Sequence, residues 1–274
     1  MAPKESPHTT AGPRFSLAFP AKPIHTTLNW SDLVVNDQTA LQLEPVRLWL
    51  QHGRTLSKDW GLSTHGYRAL FYGPSGSGKT LAAALLGKEA DLQVFRIDLS
   101  MVISKYIGET EKNLARLLGK AEGENWILFF DEADSLFGKR TNISDSHDRY
   151  ANQDVAYLLQ RLEEYEGLVI FSFTQKANID AAFLRRFSSI VHFPVPAPPE
   201  RLRLWQQAFS PASQPPPDKE LARLAQTYEL TGGAIHNVVR YASLKAIARQ
   251  EKTISVDDLL QGISQELHNR SLEA

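Results

Sequence analysis

The stretch that decides the fold is Gly73-Pro-Ser-Gly-Ser-Gly-Lys-Thr80, which fits the pattern G-x-x-x-x-G-K-[ST] of a phosphate-binding loop. Its glycines let the backbone turn back on itself, so that several N–H groups point inward at phosphate oxygens. A helix beginning near Lys79 adds the positive end of its dipole, and Lys79 itself supplies a point charge. The Thr80 hydroxyl serves as a Mg²⁺ ligand in such loops. The predicted nucleotide-binding residues here are Pro74, Ser75, Gly76, Ser77, Gly78, Lys79, Thr80 and Leu81.

A second stretch, Ile127-Leu-Phe-Phe-Asp-Glu-Ala-Asp134, carries acidic groups at the end of an apolar run. The run from Trp126 to Phe130 is typical of a central parallel strand that is buried on both faces. At its carboxyl end, Asp131 can hold Mg²⁺ directly or through water, and Glu132 can polarise the water that attacks the γ-phosphate. A strand ended by solvated acids would explain this motif in isolation. Both motifs in this order, each after a strand, predict ATP binding and hydrolysis with Mg²⁺.

The composition limits the class of protein. Of the 274 residues, 42% are hydrophobic and 22% are charged, as is ordinary for a globular protein, and none is cysteine. The lack of cysteine excludes disulfides, thiolate metal sites and cysteine nucleophiles. A net charge of −1 argues against a general nucleic-acid or membrane surface, and no apolar run approaches the ~20 residues of a membrane span. Because the N-terminus also lacks a signal-peptide pattern, we expect a cytoplasmic enzyme.

Strands and helices alternate along the chain, which predicts an α/β fold with a parallel sheet flanked by helices, as in P-loop NTPases. The proline-rich segment Pro194–Pro199 ends this pattern, and a small all-helical domain is expected after it. We predict a disordered tail over residues 1–28, a nucleotide-binding domain over 29–197 and a helical domain over 198–274. The predicted strands are Arg68–Tyr72, Val94–Asp98, Trp126–Asp131, Leu168–Phe173 and Ser189–Phe193. Helices are predicted between Trp30 and Trp60 and at Thr80–Ala90, Thr110–Glu122, Tyr150–Glu164, Glu200–Phe209, Lys219–Tyr228, Gly233–Arg249 and Val256–His268.

Three further segments carry a resemblance to a known family. They are Ser104-Lys-Tyr-Ile-Gly-Glu-Thr-Glu-Lys-Asn-Leu114, Phe183-Leu-Arg-Arg-Phe187 and Leu230-Thr-Gly-Gly-Ala-Ile235. With the two motifs above, they resemble the AAA ATPases of the protein-remodelling branch. In that branch the first segment looks like the central-pore segment, the second like the arginine-finger region, and the third like the start of the lid helix at the adenine end of the nucleotide. The fuller strings Ser104–Leu114, Trp126–Thr141, Asp148–Gln153 and Tyr157–Gln160 look most like AAA ATPases encoded beside bacterial contractile injection systems.

This resemblance implies a homo-hexameric ring with a nucleotide at each subunit interface. Arg185 and Arg186 would then reach into the neighbouring subunit and stabilise the charge that develops on the γ-phosphate, a role that suits a planar, permanently charged guanidinium. A pair of arginines that make surface ion pairs is the alternative. At the start of the lid helix, Gly233 and Ala234 are the implied nucleotide contacts.

The pore segment bears on what ATP hydrolysis would drive. By resemblance, Tyr106 projects into a central pore between Lys105 and Ile107 and grips an extended polypeptide. An aromatic side chain offers apolar contact with few rotatable bonds. A tyrosine that packs on its own domain remains the alternative. Polypeptide is favoured over DNA because no basic cluster accompanies the loop.

One position departs from the family. Where its members commonly read Ala-Thr-Asn after the fourth strand, this chain reads Phe173-Thr174-Gln175. The Asn of the family is a polar sensor that helps to orient the attacking water. Gln175 carries the same amide one methylene further out and is expected in that catalytic role, while Thr174 offers a hydroxyl. The departure bears on the rate of hydrolysis and not on nucleotide binding.

These features favour an ATP-hydrolysing motor that remodels, unfolds or disassembles a protein substrate through a hexameric pore. The expected partners are further copies of the chain and a protein substrate or adaptor, with injection-system components among the candidates, and not nucleic acid. An assembly scaffold that is switched by nucleotide and turns over slowly is one alternative, which Gln175 favours. A DNA-transaction AAA protein is another, although no basic patch supports it. A small-molecule P-loop kinase would need neither the pore segment nor the arginine pair.

Overall fold

The computed structural model describes residues 20–62, 66–102, 109–134, 156–175 and 181–273. The strands are β1 Ala21–Ile24, β2 Tyr67–Tyr72, β3 Val94–Ile97, β4 Ile127–Phe130, β5 Leu168–Phe173 and β6 Ser189–His192. Within the described ranges they form a six-stranded sheet in the order β1-β3-β4-β5-β2-β6. Strands β2 to β6 pair in parallel, and β1 pairs with β3 in the antiparallel sense.

Helices cover the sheet and continue beyond it. The first group is α1 Asp37–Lys58, α2 Lys79–Ala90, α3 Leu99–Val102, α4 Glu109–Glu124, α5 over residues 156–164, and α6 Ala181–Leu184, with a 3₁₀ turn at Trp30–Asp32. The second group follows β6 and consists of α7 Pro198–Ala208, α8 Asp218–Thr227, α9 Gly232–Ala248 and α10 Val256–Glu273. In the parts of the chain described here, no helix is both long and apolar enough to cross a membrane.

The sheet separates two hydrophobic cores. Along β4, Leu128 and Phe130 pack into the core on one face, and Ile127 and Phe129 pack into the core on the other. These side chains are fully buried, which explains why the strand is a continuous apolar run without alternation. The predicted α/β fold, with a parallel sheet flanked by helices and followed by a helical region, is confirmed.

The helices after β6 bury a third cluster of their own. Trp205 of α7 and Leu224 of α8 pack there with Ile235 of α9 and Leu259 of α10. A surface helix has one apolar stripe to bury, so these four helices can pack their stripes against one another without the sheet. This part of the molecule therefore has an internal core, and hydrogen bonds join it to the rest of the chain at Gly233 of α9 and at Gln207 of α7.

The predicted disordered tail over residues 1–28 is wrong for its last part. Residues Ala21–Ile24 form β1, whose backbone pairs with β3 in the register Ala21 to Ile97 and Ile24 to Val94. Lys88 then holds the chain that follows, since its Nζ donates to the carbonyls of Thr27 at 3.3 Å and Leu28 at 2.8 Å. The sequence does not predict this strand, because only Ala21 is buried and the alternation of apolar residues is therefore missing. The strand forms through backbone pairing. Residues 1–19 lie outside the described ranges.

The sheet order brings the predicted motifs to one edge. Strand β5 lies between β4 and β2, so the carboxyl ends of these three strands are neighbours. The phosphate loop follows β2, Asp131 and Glu132 follow β4, and Thr174 follows β5. Residues far apart in sequence therefore meet where a parallel sheet opens a crevice.

Candidate nucleotide-binding site

A cavity of about 320 Å³ opens at this edge of the sheet, between the loops after β2, β4 and β5 and the start of α9. Its polar end is formed by the phosphate loop and the acidic residues after β4. Its other end is largely apolar, with Val34, Val35, Pro196 and Leu204. The predicted binding, metal and catalytic residues that line it are Ser75, Gly76, Ser77, Gly78, Lys79, Thr80, Leu81, Asp131, Glu132 and Gly233.

The loop takes a path that only glycine permits. Gly73 has φ of 148°, and a Cβ added there would lie 1.9 Å from the backbone oxygen of Phe193 on the strand end beside it. Gly78, which precedes the first residue of α2, has φ of 105°. Both values are strained for any residue with a Cβ. The glycines are therefore required by the turn that aims the loop at the start of α2.

Lys79 is held over the loop by its own backbone. The side chain is buried, and its Nζ donates to the carbonyls of Gly73 at 2.5 Å and Pro74 at 2.9 Å. Burial lowers the pKa of Lys79, and the negative charges of Asp131, Asp134 and Glu132 oppose that shift. The ammonium group thus lies between the loop and a group of carboxylates, where phosphate oxygens can replace the carbonyls as its partners.

The two acidic residues after β4 have different surroundings. Asp131 is mostly buried: its Oδ1 accepts the Glu132 N–H at 3.1 Å, and its Oδ2 lies 3.3 Å from Nη2 of Arg96. Glu132 is exposed and has φ of 51°, an uncommon value for a residue with a side chain. The turn fixes the Asp131 carboxylate at the strand end while it projects Glu132 along the cavity wall.

Hydrogen bonds tie this turn to the end of β5. The Ala133 N–H donates to the Ser172 carbonyl at 2.9 Å, and the Thr174 N–H donates to Oδ2 of Asp134 at 2.8 Å. Ser172 and Thr174 both line the cavity. The segment that follows β5 is thereby held against the acidic turn, and Thr174 shares the cavity wall with Glu132.

The residues present fit a magnesium nucleotide. The Thr80 hydroxyl and the Asp131 carboxylate are oxygen donors of the kind that Mg²⁺ prefers. Within the described residues, the buried Ser77 Oγ of the loop and the buried Oδ1 of Asp134 have no hydrogen-bond partner. Buried polar atoms in native proteins are almost always bonded, so atoms such as the loop hydroxyl are explained by a polar ligand in the cavity. A triphosphate would supply an acceptor for the Ser77 hydroxyl, and its cation would supply a charge opposite to that of Asp131.

The chain matches two protein families, and both matches agree with this geometry. Residues 69–195 match the family described as ATPase family associated with various cellular activities (AAA). Residues 197–273 match the contractile injection system ATPase helical domain. The chain belongs to the AAA ATPases. The resemblance seen in the sequence, including the one to injection-system ATPases, is confirmed.

Curated relatives of this AAA ATPase come from several lineages. The peroxisomal ATPase PEX6 of Pichia angusta is 31% identical over 237 residues, which make up 81% of this chain and 20% of that protein. Cell division protein C of Sulfolobus acidocaldarius is 30% identical over 188 residues, or 65% of this chain and 50% of its own length. The proteasome-activating nucleotidase of Aeropyrum pernix is 32% identical over 202 residues, or 71% and 49%. The chain therefore spans half or less of the length of these relatives.

In this AAA ATPase, the helical region touches the phosphate loop directly. The Gly233 N–H at the start of α9 donates to the Gly76 carbonyl at 2.9 Å, and the exposed His236 lines the cavity one turn later. Ala234, predicted as a nucleotide contact, is 2% exposed and packs in the core of the C-terminal helices. The close approach of two glycines thus joins the loop to the helix, a contact that sequence spacing alone does not indicate.

Three remaining candidates of this AAA ATPase that the structure describes, Gln175, Arg185 and Arg186, do not line the cavity. Among the described lining residues Thr174 is present and Gln175 is not, and Gln175 is exposed. Arg185 and Arg186 are also exposed, and Arg186 makes an ion pair with Glu163 at the end of α5. The predicted pore residues Lys105, Tyr106 and Ile107 fall outside the described ranges.

Sequence reasoning missed the partner of Asp131. Arg96 occupies an exposed position near the end of β3, and its side chain reaches the neighbouring strand end. The available signal was the pattern of a charged residue within an otherwise apolar strand, one residue before the strand ends. Its target could be found only once β3 was known to lie beside β4.

Proposed function

We propose that this AAA ATPase hydrolyses Mg·ATP and uses the reaction to remodel, unfold or disassemble a protein substrate through the pore of a hexameric ring. One observation carries the nucleotide chemistry of this proposal: the phosphate loop, Asp131 and Glu132 line a single cavity, which the start of α9 also lines. Membership of the family and the match of the C-terminal helices to injection-system ATPases support it further.

The roles follow from the chemistry of each group. The loop amides and Lys79 would bind the phosphates, and Thr80 and Asp131 would hold Mg²⁺. The bound cation would neutralise charge that develops on the phosphate oxygens. Glu132 takes a proton from the attacking water as general base, which suits an exposed carboxylate that projects along the wall. Catalysis of phosphoryl transfer depends mainly on positioning and electrostatic stabilisation, so groups that are already oriented before the nucleotide binds contribute most of the effect.

The water-orienting role is better supported for Thr174 than for Gln175. Thr174 lines the same cavity as Glu132, and its backbone N–H donates to the Asp134 carboxylate. A hydroxyl both donates and accepts, so it can bridge a water molecule and a phosphate oxygen. Thr174→Val keeps the shape and removes the hydroxyl, so hydrolysis should fall while nucleotide affinity stays. Gln175→Ala should have the smaller effect of the two.

The remaining catalytic groups would come from the neighbouring subunit of the ring. Arg185 and Arg186 stabilise the transition state in the neighbouring subunit, a role supported by their exposure at the start of the segment before β6. The ion pair of Arg186 with Glu163 does not oppose this, because both side chains are about half exposed. Such surface pairs contribute about 0–1 kcal/mol and can be exchanged when subunits meet.

The protein partner is proposed from the helical region. Residues 29–197 would form the nucleotide-binding domain and residues 198–274 the lid that transmits the state of the nucleotide, through the contact of Gly233 with Gly76. The substrate or its adaptor would be a component of a contractile injection system in the cytoplasm, gripped at Lys105, Tyr106 and Ile107. Nucleic acid is not expected as the substrate, because the net charge of −1 offers no general basic surface.

Two variants test the chemistry. Lys79→Ala should abolish ATP binding, whereas Glu132→Gln should bind ATP and fail to hydrolyse it. Loss of the general base is expected to cost on the order of 10²–10⁴ in rate. Equilibrium binding of a fluorescent ATP analogue and phosphate release are measured on the same preparations. Hydrolysis by Glu132→Gln at the wild-type rate would remove Glu132 from its role.

A nucleotide-switched scaffold is the second candidate, and the position of Gln175 outside the cavity favours it. A scaffold would assemble on ATP and hydrolyse it slowly, with no dependence of its rate on protein partners. A motor predicts turnover that rises when a substrate is present. Sedimentation with ATP and with Mg·ATP over time separates the two, because a motor would lose its ATP-assembled state through turnover much faster than a scaffold.

A further inference from the structure

Arg96 places a positive charge beside the residue proposed to hold Mg²⁺. In the parallel pair of β3 and β4, Arg96 is opposite Phe129, and Ile97 is opposite Phe130. Because side chains alternate along a strand, Arg96 lies on the same face as Val94 and Phe129, which pack into the core beneath α2. Asp131, one residue beyond β4, extends from that same face. The register therefore brings the guanidinium and the carboxylate together at the strand ends.

Each oxygen of the Asp131 carboxylate has a partner within the protein. Nη2 of Arg96 lies 3.3 Å from Oδ2 of Asp131, while Oδ1 accepts the Glu132 N–H at 3.1 Å. The Asp131 side chain is 15% exposed and the Arg96 side chain 51% exposed, so the acid is fixed and the arginine reaches it from solvent. A cation that binds this carboxylate has to share it with a guanidinium.

We propose that Arg96 is a countercharge to Asp131 that weakens the hold of this carboxylate on Mg²⁺, so that the cation is retained only together with the nucleotide phosphates. The inference rests on the proposed function. It adds that Arg96 sets how strongly nucleotide binding depends on the concentration of free Mg²⁺. Without Arg96, only the Lys79 ammonium would oppose the attraction of Asp131 for divalent cations when no nucleotide is bound. With Arg96 beside it, the phosphates supply the deciding negative charge.

The direction and size follow from Coulomb repulsion. A divalent cation near Asp131 is repelled by the guanidinium a few ångströms away, and removing that charge should tighten Mg²⁺ binding. In a water-like dielectric, which suits a half-exposed arginine, the change is about three- to tenfold. The effect should shrink as salt is raised, because the Debye length falls from about 10 Å at 0.1 M to about 3 Å at 1 M.

The experiment measures binding and not turnover. A fluorescent ATP analogue is titrated with the full chain at a series of free Mg²⁺ concentrations, including chelator alone, for wild type, Arg96→Gln and Arg96→Lys. Arg223→Gln is the matched control: it removes the same charge from another exposed arginine in an ion pair, on α8. We expect Arg96→Gln to lower the half-saturating Mg²⁺ concentration three- to tenfold. Arg96→Lys and Arg223→Gln should match the wild type.

Each other result has a defined meaning. Weaker use of Mg²⁺ by Arg96→Gln would overturn the inference, because it would make Arg96 a residue that orients Asp131 for the metal. An unchanged half-saturating concentration would overturn it as well, as would an equal change in Arg223→Gln. Failure of the wild type to bind nucleotide at any Mg²⁺ concentration would instead overturn the proposed function together with the inference. Melting curves in chelator verify that all variants are folded.

Discussion

The replacement Gly73→Ala tests whether the phosphate loop is fixed by the strand beside it. An added Cβ would lie 1.9 Å from the Phe193 carbonyl oxygen and 2.8 Å from its carbon, both of them backbone atoms. The loop has little freedom to retreat, because the Gly73 N–H donates to the Phe173 carbonyl at 3.1 Å. Phe193 is equally held, since its N–H donates to the Tyr72 carbonyl at 2.8 Å. A Cβ at position 73 should therefore break or lengthen one of these two hydrogen bonds.

The magnitude follows from two costs. A residue with a Cβ at a φ that favours glycine costs about 1–3 kcal/mol. Disrupting a buried backbone hydrogen bond costs about 1 kcal/mol more. The free energy of unfolding should therefore fall by roughly 2–4 kcal/mol, and the displaced loop should weaken ATP binding by at least about tenfold, the equivalent of 1.4 kcal/mol.

Urea denaturation and binding of a fluorescent ATP analogue are the assays, with Gly119→Ala as the matched control. Gly119 lies inside α4, and no atom is found within 4 Å of a Cβ added there. That variant should be stabilised by about 0.5–1 kcal/mol, because alanine is the better helix former. An unfolding free energy of Gly73→Ala within about 0.5 kcal/mol of the wild type, with unchanged ATP affinity, would refute the reasoning, since that is the range of neutral surface changes.

Three further predictions concern assembly, substrate and pH. Inactive Arg185→Ala subunits should regain part of their ATPase activity when mixed with Lys79→Ala subunits, since one supplies the pocket and the other the finger; activity that never recovers in any mixture would count against action across an interface. Tyr106→Ala should keep its melting temperature and ATPase activity but lose action on the target assembly, whereas parallel loss of stability and both activities would indicate a core tyrosine. A hydrogen bond from Arg249 holds the pKa of Asp258 below its ordinary range, so this carboxylate stabilises the fold above about pH 4 and ceases to do so as the pH falls through its lower folded pKa. Asp258→Asn should therefore melt below the wild type at neutral pH and approach it in acid; a constant difference across the titration would contradict this.

Much of the fold could be predicted because local signals are strong there. The strand predicted at Leu168–Phe173 is found with the same bounds, and Val94–Asp98 is found as Val94–Ile97. Leu168–Phe173 is buried on both faces, and Val94–Ile97 is too apart from the exposed Arg96. By contrast, β1 and the four-residue helices Leu99–Val102 and Ala181–Leu184 were missed, because such short elements form through backbone pairing and packing and not through periodicity.

The site divides in the same way. The phosphate loop, Asp131 and Glu132 could be predicted from the sequence. Glycine, lysine and carboxylate at those spacings indicate nucleotide binding even when the surrounding structure is unknown. The preference for Thr174 over Gln175 depended on which residue reaches the cavity wall, and that is a matter of how β5 ends.

The sequence by itself determined that the chain has a P-loop α/β fold, a nucleotide site and the marks of an AAA ATPase, since each rests on residues that are close together in the chain. The tertiary structure alone decided which distant residues meet: Arg96 with Asp131 and Gly76 with Gly233. The physical reason is that these contacts depend on the strand order, the strand register and the position of α9. All three are set by the packing of the whole molecule. Local patterns specify the chemical groups, and the packing specifies their partners.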